Sequence, residues 1–217
     1  MVMTKNPNSA KTTGIIALNK PIGKNIETVK YQLILTFLSV CGIFCGVMLL
    51  KIIGKDMLSI VFNVLTEFTS VAAAKSFVEL FSVSMCINLI YLFVCMFGGL
   101  CIVGQPFIAS AIVFKSMSVG FISANLYAEH AIDGLEYCVL LIFPSALLMI
   151  IALIIGGTES LHTVKDINSD LFKNNTEKPL DIRIYALRYV VPFVLCAVSS
   201  LVHALTTKMF SDLFNFI

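Results

Sequence analysis

Lys115 is the charged residue of this sequence whose chemistry would matter most, because it falls inside the apolar run 107–127. A lysine in the middle of a membrane span costs at least about 2.5–3.5 kcal/mol on insertion scales, so it generally faces a protein interior, a water-filled cavity or a partner. Glu79, which begins the preceding apolar run, is a candidate counter-ion. The alternative is a broken or re-entrant third segment, in which the Lys115 side chain reaches an interface.

The other polar residues in or beside the apolar runs form no catalytic or metal-binding set. His203 stands alone in its run, and we expect a hydrogen-bonded interior residue rather than a proton relay. Glu159 and His162 are three residues apart, but one carboxylate and one imidazole do not make a metal site. The seven cysteines lie in apolar stretches without a CxxC pair, which is typical of residues in helix contacts. The sequence also contains no catalytic triad pattern, phosphate-binding loop or HExxH motif, so it predicts no enzyme activity, no cofactor and no metal.

The composition sets the surroundings of these residues. Of 217 residues, 58% are hydrophobic and 13% are charged. Soluble domains run near 45–50% apolar and about 25% charged, and a chain of this size has too little interior to bury the excess. This excludes a soluble enzyme, a disordered tail and a small disulfide scaffold. It predicts an all-α, polytopic transmembrane helical bundle whose first partner is the lipid bilayer. The net charge of +2 is too small to indicate a nucleic-acid partner.

Five apolar runs are long enough for spanning helices, which need about 20 mostly apolar residues. They cover about residues 31–50, 80–103, 107–127, 135–156 and 186–207. Residues 1–30 are then an N-terminal arm, and residues 31–217 form a single transmembrane domain. The first run follows a stretch of thirty residues rich in polar side chains and is too long for the apolar core of a signal peptide, so it is interpreted as a retained span.

Glycine and proline residues mark turns and close contacts between these spans. Gln105 and Pro106, after Gly104, should make a sharp link between the second and third spans, since proline disfavours helix at the residue before it. Gly120 would let two helices approach closely. Pro144, near the middle of the fourth span, should free a backbone carbonyl and kink the helix.

The basic residues predict the orientation. With five spans, the N-terminal arm and the connection 157–188 lie on the same side, and together they carry ten of the 15 Lys and Arg residues. The opposite side carries four, and the predicted turn 128–134 carries none. Because cytoplasmic loops are enriched in Lys and Arg, this distribution predicts a cytoplasmic N-terminus and an external C-terminus.

Residues 56–74, between the first and second spans, have polar side chains at intervals of three and four. This spacing predicts a helix with one polar stripe. The segment is too polar to span a membrane and fits an amphipathic helix in the outer interface. Packing against the bundle is an equally good alternative on sequence alone.

The stretch 104–160 combines these features in a recognisable order. It contains Gly104 and Pro106 in the link, Phe114 and Lys115, Gly120, the polar turn 128–134, Pro144, and the helix end Glu159-Ser160. On these residues the sequence resembles the stage II sporulation protein M family. It departs from the family pattern at Ser116, Ser145 and Gly157-Thr158, where a glycine, a histidine and a small residue followed by arginine are usual.

The resemblance implies a non-enzymatic, multi-pass subunit of a bacterial cell membrane. It would act as a scaffold for membrane-anchored partners, among them peptidoglycan hydrolases that remodel the cell wall during sporulation. A second interpretation stays open, a permease-like subunit of a transporter whose cytoplasmic loop docks an ATPase. In both, the candidate structural or functional membrane residues are Glu79, Gly104, Gln105, Pro106, Lys115, Gly120, Pro144, Glu159, Ser160 and His203.

Overall fold

The computed structural model describes residues 22–52, 76–173 and 182–210. In these ranges every regular element is helical, which confirms the predicted all-α class. The elements are α1 (Ile22–Ile52), α2 (Phe77–Leu100), α3 (Gln105–Tyr137), a π-helical turn (Cys138–Ile142), α4 (Phe143–Lys173), α5 (Ile182–Arg188) and α6 (Val190–Phe210). The N-terminal arm up to residue 21 and the predicted amphipathic segment 56–74 lie outside the described residues.

Five helical stretches are long and apolar enough to cross a membrane, as predicted. They are Ile26–Ile52, Phe77–Leu100, Gln105–Ala128, His130–Asn168 and Arg183–Met209. The third is a continuous helix of full length, which argues against a re-entrant segment. The fourth differs most from the prediction, because α4 continues as helix to Lys173, well beyond the two turns past residue 156 that the sequence suggests.

The third and fourth spans are joined at one residue, Ala131, rather than by a turn over residues 128–134. Ala131 has φ 50° and ψ −118°, and the chain is helical on both sides of it. The chain reverses here, since a Cβ on Gly157 would contact Ile108 and Ile112, near the start of α3. The bend is also tight, because a Cβ on Gly134 would lie 2.1 Å from the carbonyl oxygen of Leu126.

The helices form one bundle, in which α2, α4 and α6 pack on one another, α3 packs on α2 and α4, and α1 packs mainly on α3. Large apolar side chains such as Leu92, Ile112 and Leu153 fill the interior. The outward faces are apolar too, with Phe37 and Phe44 well exposed. Because lipid tails are as apolar as these side chains, that surface suits a protein surrounded by membrane.

The closest helix contact is the crossing of α1 and α3, which run parallel. Added Cβ atoms would lie 2.1 Å from the Met117 carbonyl oxygen at Gly46 and 2.2 Å from the Ile43 carbonyl oxygen at Gly120. Two turns before Gly46 on α1, the hydroxyl of Ser39 is hydrogen-bonded to the hydroxyl of Ser116 at 2.9 Å. Small residues therefore let the two backbones touch, as in membrane helix pairs with the small-xxx-small pattern.

Three polar contacts define one end of the bundle, which we call the basic end. Lys165 Nζ lies 2.6 Å from Glu27 Oε1, and Arg188 Nη1 lies 3.1 Å from Glu159 Oε2. Beside the first pair, the His162 ring nitrogen Nε2 and the Thr28 hydroxyl are 3.0 Å apart. The start of α1, the end of α4 and α5 thus meet at the basic end. The opposite end, called the far end, includes the cluster of Leu80, Phe81 and Ala204.

Candidate functional site

Lys115 lies in the middle of the third span and reaches across to α2. Its ammonium Nζ donates to Asn88 Oδ1 at 3.1 Å and lies 5.3 Å from the centre of the Tyr91 ring. Asn88 Nδ2 donates onward to the Ser200 hydroxyl at 3.2 Å, on α6. His203 lies three residues after Ser200, on the same side of α6. We call Asn88, Tyr91, Lys115, Ser200 and His203 the Lys115 cluster, because it links three spans through polar groups.

The Lys115 cluster holds a positive charge without a carboxylate to balance it among the residues that the structure describes. The predicted counter-ion, Glu79, lies elsewhere and accepts a hydrogen bond from the Ser76 backbone N–H at 3.1 Å. Ser76 and Glu79 have the Ser-x-x-Glu spacing of a capping box, so the carboxylate stabilises the start of α2. The structure does not support the alternative in which the Lys115 side chain reaches an interface, because its ammonium binds Asn88 on the neighbouring helix. The ammonium contacts the amide oxygen of Asn88 and the face of the Tyr91 ring.

A second polar cluster is buried at the basic end, where α2, α4 and the start of the fifth span meet. The Ser160 hydroxyl donates to the Cys95 carbonyl oxygen at 2.8 Å. The Tyr185 hydroxyl donates to the Met96 carbonyl oxygen at 2.8 Å and lies 3.1 Å from the Ser160 hydroxyl. The Tyr189 hydroxyl also contacts Ser160. These groups satisfy one another and bind two carbonyls near the C-terminal end of α2, so we interpret this Ser160 cluster as structural.

The Ser160 cluster is packed too closely to admit a ligand beside Gly99. A Cβ on Gly99 would lie 2.2 Å from the Tyr185 hydroxyl oxygen and 2.8 Å from the Ser160 hydroxyl oxygen. The Tyr189 hydroxyl donates to the Gly156 carbonyl oxygen at 3.0 Å, which ties α4 to the fifth span. The sequence predicted Ser160 as a candidate functional residue, and its contacts in the structure indicate a packing role.

Gly104, Gln105 and Pro106 form the short link between α2 and α3, as their sequence suggests. The Gly104 N–H donates to the Cys101 carbonyl oxygen at 3.1 Å, and the Ile108 N–H donates to the Gly104 carbonyl oxygen at 3.1 Å. Gln105 and Pro106 open α3, where a missing proline N–H costs no helical hydrogen bond. The link is close enough that a Cβ on Gly104 would lie 1.6 Å from the Gly98 carbonyl oxygen.

Glu159 and His162 bind different partners, although they lie three residues apart. Glu159 pairs with Arg188, whereas the His162 ring packs edge-on against Tyr31, with centroids 5.0 Å apart, beside the Thr28 hydroxyl. Over the described parts of the chain, no three His, Cys, Asp or Glu side chains are placed to hold a metal ion. This arrangement ties α1 and the fifth span to α4.

Pro144 follows the π-helical turn Cys138–Ile142, which is where the fourth span is distorted. Proline removes an N–H from the helix, and nearby hydroxyls compensate for disturbed backbone bonding in membrane helices. Here Ser199 donates to the Ser145 carbonyl oxygen at 2.8 Å. Thr206 Oγ1 lies 3.4 Å from the Leu141 carbonyl oxygen. α6 therefore supports the distorted part of the fourth span with two hydroxyl groups.

Several residues that build these contacts were not predicted. Asn88 and Ser200 are uncommon polar residues within apolar runs, which is a signal that the sequence does carry. Gly42 and Gly46 have the Gly-x-x-x-Gly spacing of close membrane helix pairs. Tyr91 gives no comparable signal, because an aromatic residue in an apolar run fits any face of the helix.

The comparison with protein families decides which family this bundle represents. The model of stage II sporulation protein M matches residues 34–208, well over half of the chain. The chain belongs to the stage II sporulation protein M family. The match confirms the resemblance drawn from the stretch 104–160. No curated protein and no solved structure matches the chain.

The range shared with stage II sporulation protein M includes both polar clusters and the glycine crossing of α1 and α3. All ten candidate residues from the sequence also lie within it, from Glu79 to His203. The contacts of Glu27 and Thr28 at the start of α1 lie outside it. The family match and the five spans indicate a multi-pass membrane protein.

Proposed function

We propose that this member of the stage II sporulation protein M family is a membrane scaffold subunit without enzyme activity. It assembles membrane-anchored cell-wall remodelling proteins, chiefly peptidoglycan hydrolases, in a bacterial cell membrane. The observation that carries the proposal is the family match over residues 34–208. The structure agrees with a structural role, because most buried hydroxyls of the described residues bind neighbouring helices and stabilise the bundle itself.

The second candidate function is a permease-like subunit of a transporter. What favours it is α4, which runs past the predicted end of the fourth span at residue 156 to Lys173. A helix that projects at the basic end is a suitable contact for an ATPase. The scaffold is preferred, because the midspan charge of Lys115 lies among interhelical contacts at Asn88 and Tyr91.

Copurification separates the two functions. The full chain is expressed at its native level, extracted in mild detergent and purified by an affinity tag, and the bound proteins are quantified by mass spectrometry. The scaffold predicts membrane-anchored peptidoglycan hydrolases in near-stoichiometric amounts, and the same preparation from an untagged strain is the control. Recovery of a stoichiometric nucleotide-binding subunit, with no hydrolase above the control, would contradict the scaffold function and support the permease function.

We further propose that the basic end faces the cytoplasm. The predicted bias of basic residues supports this orientation, and five spans then put the C-terminus outside. External loops and helix faces near the far end would contact partners that act on the cell wall. A single-cysteine experiment tests the orientation, because Cys101 is exposed in the link at the basic end.

A variant that retains only Cys101 should resist a membrane-impermeant maleimide in intact cells and react after permeabilisation. The matched variant carries Asp133→Cys in a cysteine-free background, because Asp133 is exposed beside the bend at the far end. It should react in intact cells. The reverse pattern, with Cys101 labelled from outside and position 133 protected, would invert the orientation.

A further inference from the structure

We propose that the Lys115 cluster binds a carboxylate carried by the spanning helix of a partner protein. The inference rests on the proposed function and names the chemistry by which the scaffold would recognise a partner inside the membrane. The occupant is an aspartate or glutamate side chain, at the depth of Lys115, on a helix of another polypeptide.

The first argument is the unused bonding capacity of the ammonium group. A lysine ammonium has three N–H donors, and one of them binds Asn88 Oδ1. The Tyr91 ring faces the same group at 5.3 Å, and no carboxylate of the described residues pairs with it. Charged residues inside membranes generally pair with one another. A carboxylate would therefore complete a site that already has its cation, its amide and its aromatic wall.

The second argument is access from the lipid side. Lys115, Ser118 and Ile122 keep part of their surface exposed along one edge of α3, whereas Ala111, Ile112 and Val119, which also lie one turn from Lys115, are buried. On α2, Tyr91 and the residues one and two turns before it are half-buried as well, at the spacing that places them on one side of the helix. Phe114, next to Lys115, is 58% exposed on the outside of the bundle. The edge between α2 and α3 is therefore the side from which a partner helix would reach the buried amine.

The third argument selects the occupant. Lipid phosphates stay at the membrane surface, about half the bilayer thickness from a midspan lysine. A second copy of this chain is a poor match, because acidic residues in the described spans lie toward the span ends, as Glu27, Glu79 and Glu159 do. A carboxylate on the spanning helix of a different protein meets both the charge and the depth.

Binding of designed transmembrane peptides to the purified full chain in lipid vesicles tests the proposal. The probe is a fluorescent poly-leucine helix with one central glutamate, and binding is followed by energy transfer to the labelled protein. Its matched controls carry a central glutamine, a central leucine, or the glutamate moved two turns toward the helix end. The central-glutamate helix should bind at least tenfold more tightly than the leucine helix. The glutamine and displaced-glutamate helices should gain less than threefold.

The preference should vanish in Lys115→Met and persist in Lys51→Met, which removes a lysine from the end of a span. Lys115→Met removes a charge that is costly in the membrane, and its thermal unfolding in detergent checks that the variant folds. Equal binding of the glutamate and leucine helices to the native chain overturns the inference whatever the variants do. A preference that survives Lys115→Met also overturns it. In either case, recovery of hydrolases by copurification would leave the scaffold function standing.

Discussion

Gly104→Ala should destabilise the bundle more than alanine at any other glycine that the structure describes. The new Cβ would lie 1.6 Å from the Gly98 carbonyl oxygen and 2.6 Å from its carbonyl carbon. Both atoms belong to the backbone at the end of α2, so no side-chain rotation can relieve the overlap. Overpacking typically costs about 1–3 kcal/mol and occasionally more, and we expect at least about 3 kcal/mol for this variant because the link itself must open.

Thermal unfolding in detergent and the amount of protein in the membrane measure this effect. Gly104→Ala should lower the unfolding midpoint strongly and reduce accumulation several-fold, as losses of this size do in cells. Gly156→Ala is the matched control, since its Cβ would meet Leu92 Cδ1 at 3.4 Å, an ordinary contact. The described geometry of the link would be contradicted if both variants were equally stable.

Alanine at the crossing of α1 and α3 should also destabilise the bundle strongly. A Cβ at Gly46 would lie 2.8 Å from the Phe121 backbone nitrogen, besides its overlap with the Met117 carbonyl. A Cβ at Gly120 would lie 3.0 Å from the Ile43 carbonyl carbon, besides the overlap with that oxygen. The helices must separate in either variant, which we expect to cost roughly 2–3 kcal/mol.

The crossing also predicts an order among the glycine variants. Gly42→Ala should cost less than Gly46→Ala or Gly120→Ala, because its nearest neighbours are 3.0 Å away. Relative to the Gly156→Ala reference in the same detergent, Gly42→Ala should lower the unfolding midpoint less than Gly46→Ala or Gly120→Ala does. If Gly42→Ala proved the most damaging of the three, α1 and α3 would not cross as described.

The membrane spans could be predicted because each depends on a single property, a long apolar run. That property also predicted the number of spans and the interruption at Gly104 and Pro106, where proline chemistry acts locally. The sequence predicted a turn over residues 128–134, but it did not predict that the bend is confined to Ala131, since alanine favours helix and seldom adopts a positive φ. The sequence also underestimated the length of α4, whose polar end contacts α1 through Lys165 and Glu27.

The candidate site could be predicted only in part. Lys115 was identifiable, because a midspan charge is costly whatever surrounds it. Its neighbours were not, because an apolar run does not show which helices will meet, and the candidate counter-ion, Glu79, caps α2 instead. Asn88 is Lys115's partner only because α2 and α3 form a close hairpin. The glycine crossing of α1 and α3 was missed although its signal, the Gly42–Gly46 spacing, is present in the sequence.

The position of a copurifying peptidoglycan hydrolase in cells with and without this chain tests the scaffold role most directly. A fluorescent fusion of that hydrolase is imaged in the parent strain, in a deletion strain and in a strain that expresses the chain again. The scaffold predicts a hydrolase concentrated at sites of envelope remodelling in the first and third strains. In the deletion strain it should spread around the membrane at unchanged abundance. A hydrolase that keeps its position without this chain would contradict the scaffold role.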